Sequence, residues 1–334
     1  MTTQLTKKDF VSNQEIRWCP GCGDYGILAA VQKTLPELGV PLEKFAFISG
    51  IGCSSRFPYY INTYGFHTIH GRAPAVASGL KIANPDLSVW VITGDGDGLS
   101  IGGNHLIHAI RRNLDINIIF FNNRIYGLTK GQFSPTSALG SITKSSPYGT
   151  IDPPFRPLSV VIGAEATFAA RTYDKSQKHM SETIEAAFRH KGTSFIEVLQ
   201  NCAIFNDGVH DDVYGKDVRD DTTVLLEHGK PLIFGANQDK GIVMEGSAAR
   251  VVSLSEVPAE KIHVHDETVP SPDYAFLLSR MENPEFPVPM GVLRNVKAPV
   301  YEDMVQAQIQ TAIDKKGEGS LQDLICTEDT WEIK

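Results

Sequence analysis

The stretch from Gly94 to Asn123, GDGDGLSIGGNHLIHAIRRNLDINIIFFNN, restricts the fold of this chain more than any other. Just ahead of it, SVWVIT is a short apolar, β-rich run that predicts a buried strand. A tight glycine turn carrying Asp95 and Asp97 follows. Apolar residues at helical intervals over Gly103 to Arg112 predict a helix, and 115–121, DINIIFF, reads as a second buried strand. Strand, helix and strand in this order make a βαβ unit, whose two strands lie parallel and side by side. Asp95 and the pair Asn122–Asn123 then share one carboxyl edge of the sheet, the edge at which open α/β sheets bind ligands.

A carboxylate at one strand end and an amide oxygen at the next suit a hard cation such as Mg²⁺, held by one or two protein oxygens plus phosphate. Gly94, Gly96 and Gly98 carry no Cβ and would let the backbone come close to phosphates. An Asp-Gly turn or an Asn-rich loop alone needs no ligand. Both together, on flanking strands, point to a cation and diphosphate site built from Gly94, Asp95, Gly96, Asp97, Asn122 and Asn123.

At 334 residues the chain can bury one large core with an elaborated tail. No apolar run reaches the roughly 18 residues that cross a bilayer, and MTTQLTKKDFVSNQE lacks the apolar centre of a signal peptide. A cytoplasmic protein with no membrane contact is expected. The net charge of −8 argues against nucleic acid as a partner. Five cysteines, an odd number, read as metal or redox ligands before disulfides.

Residues 1–18 are expected to form a polar arm, and CPGC at Cys19 and Cys22 follows. A reactive dithiol couple would need a preceding strand, which residues 1–15 do not supply. A metal knuckle needs two more thiolates. Cys53 comes just after the strand FAFIS and Cys202 just after FIEVL, both at strand ends near the Asp95 edge. Four thiolates complete a [4Fe–4S] site or a structural zinc site, and spacing leaves both open. Helices are predicted over 23–38, 73–83, 157–168 and 179–190, and strands over 45–49, 169–172 and 193–199. The run FPYYINTYGFHTIHGRAP reads as irregular, with His67 structural, and 126–146 as a polar site loop containing Lys130. The fold class is therefore α/β, a mainly parallel sheet with helices on both faces over 19–228. Residues 229–334 hold a possible hairpin and many prolines, and read as an irregular extension packed on a partner. HVH at 263–265 is taken as an exposed strand and Cys326 as an unremarkable thiol.

GDG followed by NN resembles the thiamine-diphosphate signature of the diphosphate-binding domain in thiamine enzymes. NNRIYGLTKGQFSPT, WCPGCGDYGIL and the run GIGCSSR…HTIHGRAPAVASGLKIANPDL are similar to the β subunit of the 2-oxoacid:ferredoxin oxidoreductases. The resemblance spans most of Trp18 to Thr136, and FNDG beside Cys202 extends it. It implies Mg²⁺ held by the Asp95 and Asn123 side chains and the Ile125 carbonyl. It adds Ile51, Gly52 and His70 to the thiamine diphosphate pocket, and makes Cys19, Cys22, Cys53 and Cys202 ligands of one [4Fe–4S] cluster.

The implied reaction is coenzyme A-dependent oxidative decarboxylation of a 2-oxoacid, with electrons passed singly to ferredoxin. An α subunit, in an α2β2 assembly, would supply the glutamate that thiamine enzymes use and most substrate contacts. No catalytic residue is therefore assigned to this chain, which would be inactive alone. Pyruvate-specific members look different at Lys130, with a small residue there. A lysine can pair with the second carboxylate of 2-oxoglutarate, so 2-oxoglutarate is the expected substrate. A pyruvate or broad 2-oxoacid enzyme is the alternative, and after it a non-redox thiamine decarboxylase with zinc at the cysteines.

Overall fold

Parallel strands covered on both faces are buried along their whole length, and four runs in this chain meet that condition. In a computed structural model, which describes residues 5–246, 248–326, 331 and 333, they are β1 (Phe45–Ser49), β4 (Ile116–Asn122), β5 (Phe168–Tyr173) and β6 (Ser194–Leu199), buried at every residue. They join β2 (Tyr64–His67), β3 (Ser88–Gly94), β7 (Thr223–Leu226) and β11 (Val288–Asn295) in one sheet of order β2-β1-β3-β4-β6-β5-β11-β7. β8 (Ile233–Phe234), β9 (Lys240–Glu245) and β10 (Ala248–Ser253) form a separate antiparallel sheet.

The period-2 alternation of strands sorts the core into two layers. Val89, Val91, Ile118 and Phe120 face one cluster with Leu106 and Ile110 of the helix Gly103–Arg112. Trp90, Ile92, Ile119 and Phe121 face the other, with Ile27 and Val31 of the helix Asp24–Thr34 and Met180 and Ile184 of Gln177–Arg189. Helices thus cover both faces, as expected. Among the described residues no helix is long and apolar enough to cross a membrane.

Five expectations are corrected. Residues 64–67 are not irregular but the parallel edge strand β2, all four exposed. The first residues are not a free arm, because Phe10 is fully buried and packs edge-on to Phe45. The C-terminal segment is not wholly outside the α/β unit. It returns β11 to the sheet, antiparallel to β5 and parallel to β7. HVH is not an exposed strand: Val264 makes one isolated bridge to Pro231, while His265 is fully buried and bonded to the Tyr274 hydroxyl and the Val292 carbonyl. The helix expected over 157–168 stops at Gly163. Cys326 is exposed, as an unremarkable thiol can be.

Candidate active site

β3 and β4 pair in parallel with Gly94 opposite Phe121. That register brings Asp95, the first residue of the short helix Asp95–Leu99, beside Asn122 and Asn123 at the carboxyl edge. Asp95 is buried. Its Oδ2 accepts hydrogen bonds from the Ser134 and Thr136 hydroxyls, both at 2.6 Å, and its Oδ1 accepts from the Gly96 amide at 2.9 Å. Burial pushes its pKa up, against the pull of those donors. Asn123 Oδ1 accepts from the Ile125 amide at 3.1 Å. Asp95, Asn123 and Ile125 line a cavity of about 100 Å³, with Ile51, Gly52, His70, Gly94, Gly96 and Asp97 also in its wall. A buried carboxylate and an amide oxygen in one cavity wall fit a Mg²⁺-diphosphate group.

The other expected ligands take different work. Asp97 Oδ1 accepts from the Ile51 and Gly71 amides at 3.0 and 2.7 Å and lies 2.7 Å from His70 Nδ1. Its Oδ2 accepts from the Thr93 hydroxyl at 2.6 Å. Four protein donors thus occupy this carboxylate, and it ties the loop after β1 and the His70–Gly71 turn to the Asp95 turn. The bond to a carboxylate makes Nδ1 the donor and orients the imidazole, which lines the cavity. Asn122 turns away, its Nδ2 donating to Glu197 Oε1 at 2.7 Å.

The glycines also have another reason than phosphate approach. A Cβ on Gly96 would stand 2.2 Å from the Tyr126 ring, and one on Gly98 would stand 3.0 Å from the Phe120 ring. Side chains of the protein already exclude a Cβ there.

Cys19, Cys22, Cys53 and Cys202 line a second cavity of about 230 Å³. The strand-end placement of Cys53 and Cys202 brings them to CPGC as the sequence suggested. Gly127 runs against two of the thiols: a Cβ there would lie 3.4 Å from Cys202 Sγ and 3.6 Å from Cys53 Sγ. The Trp18 indole donates to the Cys53 carbonyl at 2.7 Å, and the Tyr25 hydroxyl donates to the Trp18 carbonyl at 3.1 Å. Burial, followed by the Asp24 charge, pushes Cys53 up to about 12 and Cys22 higher still. Such thiols ionise only for a strong cation, as metal-binding cysteines do. Among the described residues no three His, Cys, Asp or Glu side chains close on one ion-sized point. Four thiols lining one cavity could hold a multi-iron cluster or a zinc ion.

Residues 50–198 match the family described as "Thiamine pyrophosphate enzyme, C-terminal TPP binding domain". The chain is 51% identical over 330 residues to the 2-oxoglutarate oxidoreductase subunit KorB of Mycobacterium tuberculosis, covering 98% of this chain and 88% of that one. It is 48% identical over 203 residues to the 2-oxoacid:ferredoxin oxidoreductase subunit beta of Saccharolobus solfataricus, covering 60% and 67%. The chain belongs to the β subunits of the 2-oxoacid:ferredoxin oxidoreductases. A solved 2-oxoglutarate:ferredoxin oxidoreductase from Magnetococcus marinus, with 2-oxoglutarate, coenzyme A and succinyl-CoA bound, superposes with a TM-score of 0.75 at 34% identity. That superposition covers 96% of this chain and 94% of the other.

In this β subunit a third cavity, of about 510 Å³, joins the other two. Ile51, Gly52 and Leu128 line it together with the Asp95 cavity, and Arg17, Arg56 and Leu128 line it together with the cysteine cavity. Gln14, Glu15, Tyr59, Tyr60 and His67 complete its wall. His67 Nδ1 donates to the Ser55 carbonyl at 3.0 Å, which holds the ring in place. Lys130 is exposed, has φ 75°, and lines the cysteine cavity, not the Asp95 cavity. Arg56 was missed from sequence. Its one signal was proximity to Cys53 in GCSSR, which says nothing about the direction of a side chain. Ser134 and Thr136, the partners of Asp95, were missed for the same reason.

Proposed function

We propose that this chain is the cofactor-bearing β subunit of a coenzyme A-dependent 2-oxoglutarate:ferredoxin oxidoreductase, cytoplasmic and active only with an α subunit in an α2β2 assembly. The observation that carries the reading is that Leu128 lines three adjoining cavities: one for a cation-diphosphate, one lined by four thiols, one flanked by arginines. Bound thiamine diphosphate would supply the electron sink for a 2-oxoacid losing CO₂, and a [4Fe–4S] cluster a one-electron outlet.

Within that scheme Asp95 and Asn123, with the Ile125 carbonyl, hold Mg²⁺. Asp97 keeps His70 oriented toward the diphosphate. Gly127, with no side chain, lets the wall between the cofactor cavity and Cys53 and Cys202 stay thin. Trp18 shields the Cys53 backbone from water. Arg56 lines both the arginine-flanked cavity and the cysteine cavity, and the former shares Ile51 and Gly52 with the Asp95 cavity, so Arg56 is a stronger partner than the exposed Lys130 for a second substrate carboxylate. Lys130 remains a candidate for steering the acid inward or for meeting it at the cysteine side. The α subunit would supply the catalytic glutamate of thiamine enzymes. The helix Tyr301–Lys316 buries only Glu302. Its remaining residues lie at or near the surface, which fits a C-terminal segment laid on a partner.

The cluster half of the reading is tested by anaerobic purification with the α subunit and metal analysis. Iron and acid-labile sulfide with a broad visible band, lost together in Cys53→Ala and Cys202→Ala, support it. A colourless zinc protein would return the chain to the non-redox thiamine enzymes.

A further inference from the structure

Glu197 stands out in β6. It is almost fully buried between Ile196 and Val198, and pairs in register with Arg171 of β5, which is also buried. Arg171 Nε donates to Glu197 Oε2 at 2.7 Å, with side chains only 9% and 2% exposed. A buried ion pair is rarely more stable than apolar side chains of the same volume, so this one asks for a task. Its other contacts supply one. Glu197 Oε1 accepts from Asn122 Nδ2 at 2.7 Å, Asn122 Oδ1 lies 2.9 Å from Thr136 Oγ1, and Thr136 Oγ1 lies 2.6 Å from Asp95 Oδ2. Arg171, Glu197 and Asn122 stand on the neighbouring strands β5, β6 and β4, and Asp95 follows β3.

We infer that Thr136, Asn122, Glu197 and Arg171 form a positioning chain that sets the Asp95 carboxylate for its cation, with the ion pair as anchor. Ser134 and Thr136 occupy both lone pairs of Oδ2, and the Gly96 amide occupies one lone pair of Oδ1. One acceptor position on Oδ1 is left, so the carboxylate is set to bind one-sidedly. The Thr136 hydroxyl has one hydrogen and two acceptors, Asp95 Oδ2 and Asn122 Oδ1. The Asn122 side, held by Glu197, therefore competes with Asp95 Oδ2 for that hydrogen, and a cation that draws charge from the carboxylate shifts the balance between them. This rests on the cation-diphosphate reading of the Asp95 cavity.

The test uses the complex with its α subunit, stripped of metal and cofactor. Mg²⁺ is titrated at fixed thiamine diphosphate, followed by intrinsic tryptophan fluorescence and by the Mg²⁺ dependence of ferredoxin reduction. Thr136→Val should raise the half-saturating Mg²⁺ about 10- to 100-fold, the usual effect of losing a partner that orients a metal ligand. kcat at saturating Mg²⁺ should stay near the wild-type value. Thr136→Ser should restore the affinity, and Glu197→Gln should give a smaller shift in the same direction. Unchanged half-saturation in Thr136→Val overturns the proposal, and unchanged half-saturation in Glu197→Gln removes the anchor from it. If Thr136→Val does not assemble, Glu197→Gln decides. Failure of the wild-type complex to bind Mg²⁺ with thiamine diphosphate would overturn the cation-site reading itself.

Discussion

The Tyr126 hydroxyl donates to the Gly96 carbonyl at 2.9 Å, and the Tyr126 ring fills the space that a Cβ at position 96 would need. The two residues close one side of the Asp95 cavity together. Gly96→Ala should therefore push the ring into the cavity and abolish thiamine diphosphate binding, measured by calorimetry on the complex. Tyr126→Phe loses one hydrogen bond, worth about 1 kcal/mol, and should bind the cofactor only slightly more weakly. Equal binding by Gly96→Ala and wild type would contradict this packing.

Asp95 and the thiol ring occupy separate cavities. Asp95→Ala should remove thiamine diphosphate affinity while leaving the visible absorption of the cluster intact. Retained cofactor affinity would sink the cation assignment, and a colourless variant would mean that the two cavities fold as one unit.

Asp97 accepts from four donors. Asp97→Asn places an amide N–H against at least one of them and should cost about 1–3 kcal/mol of stability, the penalty of a buried group left unpaired. A melting temperature equal to wild type would show that the loop after β1 needs no such clamp.

The arginine-flanked cavity makes a kinetic prediction. Arg56→Leu should raise KM for 2-oxoglutarate far more than for pyruvate, because only the former has a second carboxylate. Lys130→Ala should do the same to a lesser extent. Equal effects on both acids in Arg56→Leu would make that arginine a general or structural residue.

His210 Nε2 donates to the Asn122 carbonyl at 2.9 Å, while its buried Nδ1 has no partner. Burial lowers its pKa to about 3, against about 6.5 in the unfolded chain. The unfolded state therefore binds the proton first. The stability tied to neutral His210 is complete above pH 6.5 and lost as pH falls toward 3, by about 1.4 kcal/mol per unit. His210→Gln should flatten the slope of unfolding free energy over that window relative to wild type. An unchanged slope would mean that His210 is hydrated when protonated.

Elements that answer to local rules were legible in the sequence. β3, β4 and β6 are short apolar runs between turn residues, and the helices Ala73–Ala83 and Gly103–Arg112 follow helical periodicity. The edge position of Asp95, Asn122 and Asn123 follows from the βαβ rule alone. What was missed depends on distant partners. β2 is exposed at every residue, so it carries no burial pattern. β11 contains Pro289 and Gly291, both unfavourable in a strand interior, and exists because β5 and β7 flank it. Asn122 and Asn123 look alike in sequence, and only the structure separates them: Asn122 bonds Glu197, while Asn123 lines the Asp95 cavity. The reason for Gly96 lies thirty residues on, at Tyr126.

The most direct test of the central claim is ferredoxin reduction by the anaerobically purified complex, with 2-oxoglutarate and coenzyme A, in the presence and absence of thiamine diphosphate. Reduction that requires thiamine diphosphate and prefers 2-oxoglutarate to pyruvate is the predicted result. A brown, cofactor-loaded complex that reduces ferredoxin with neither acid would contradict the account.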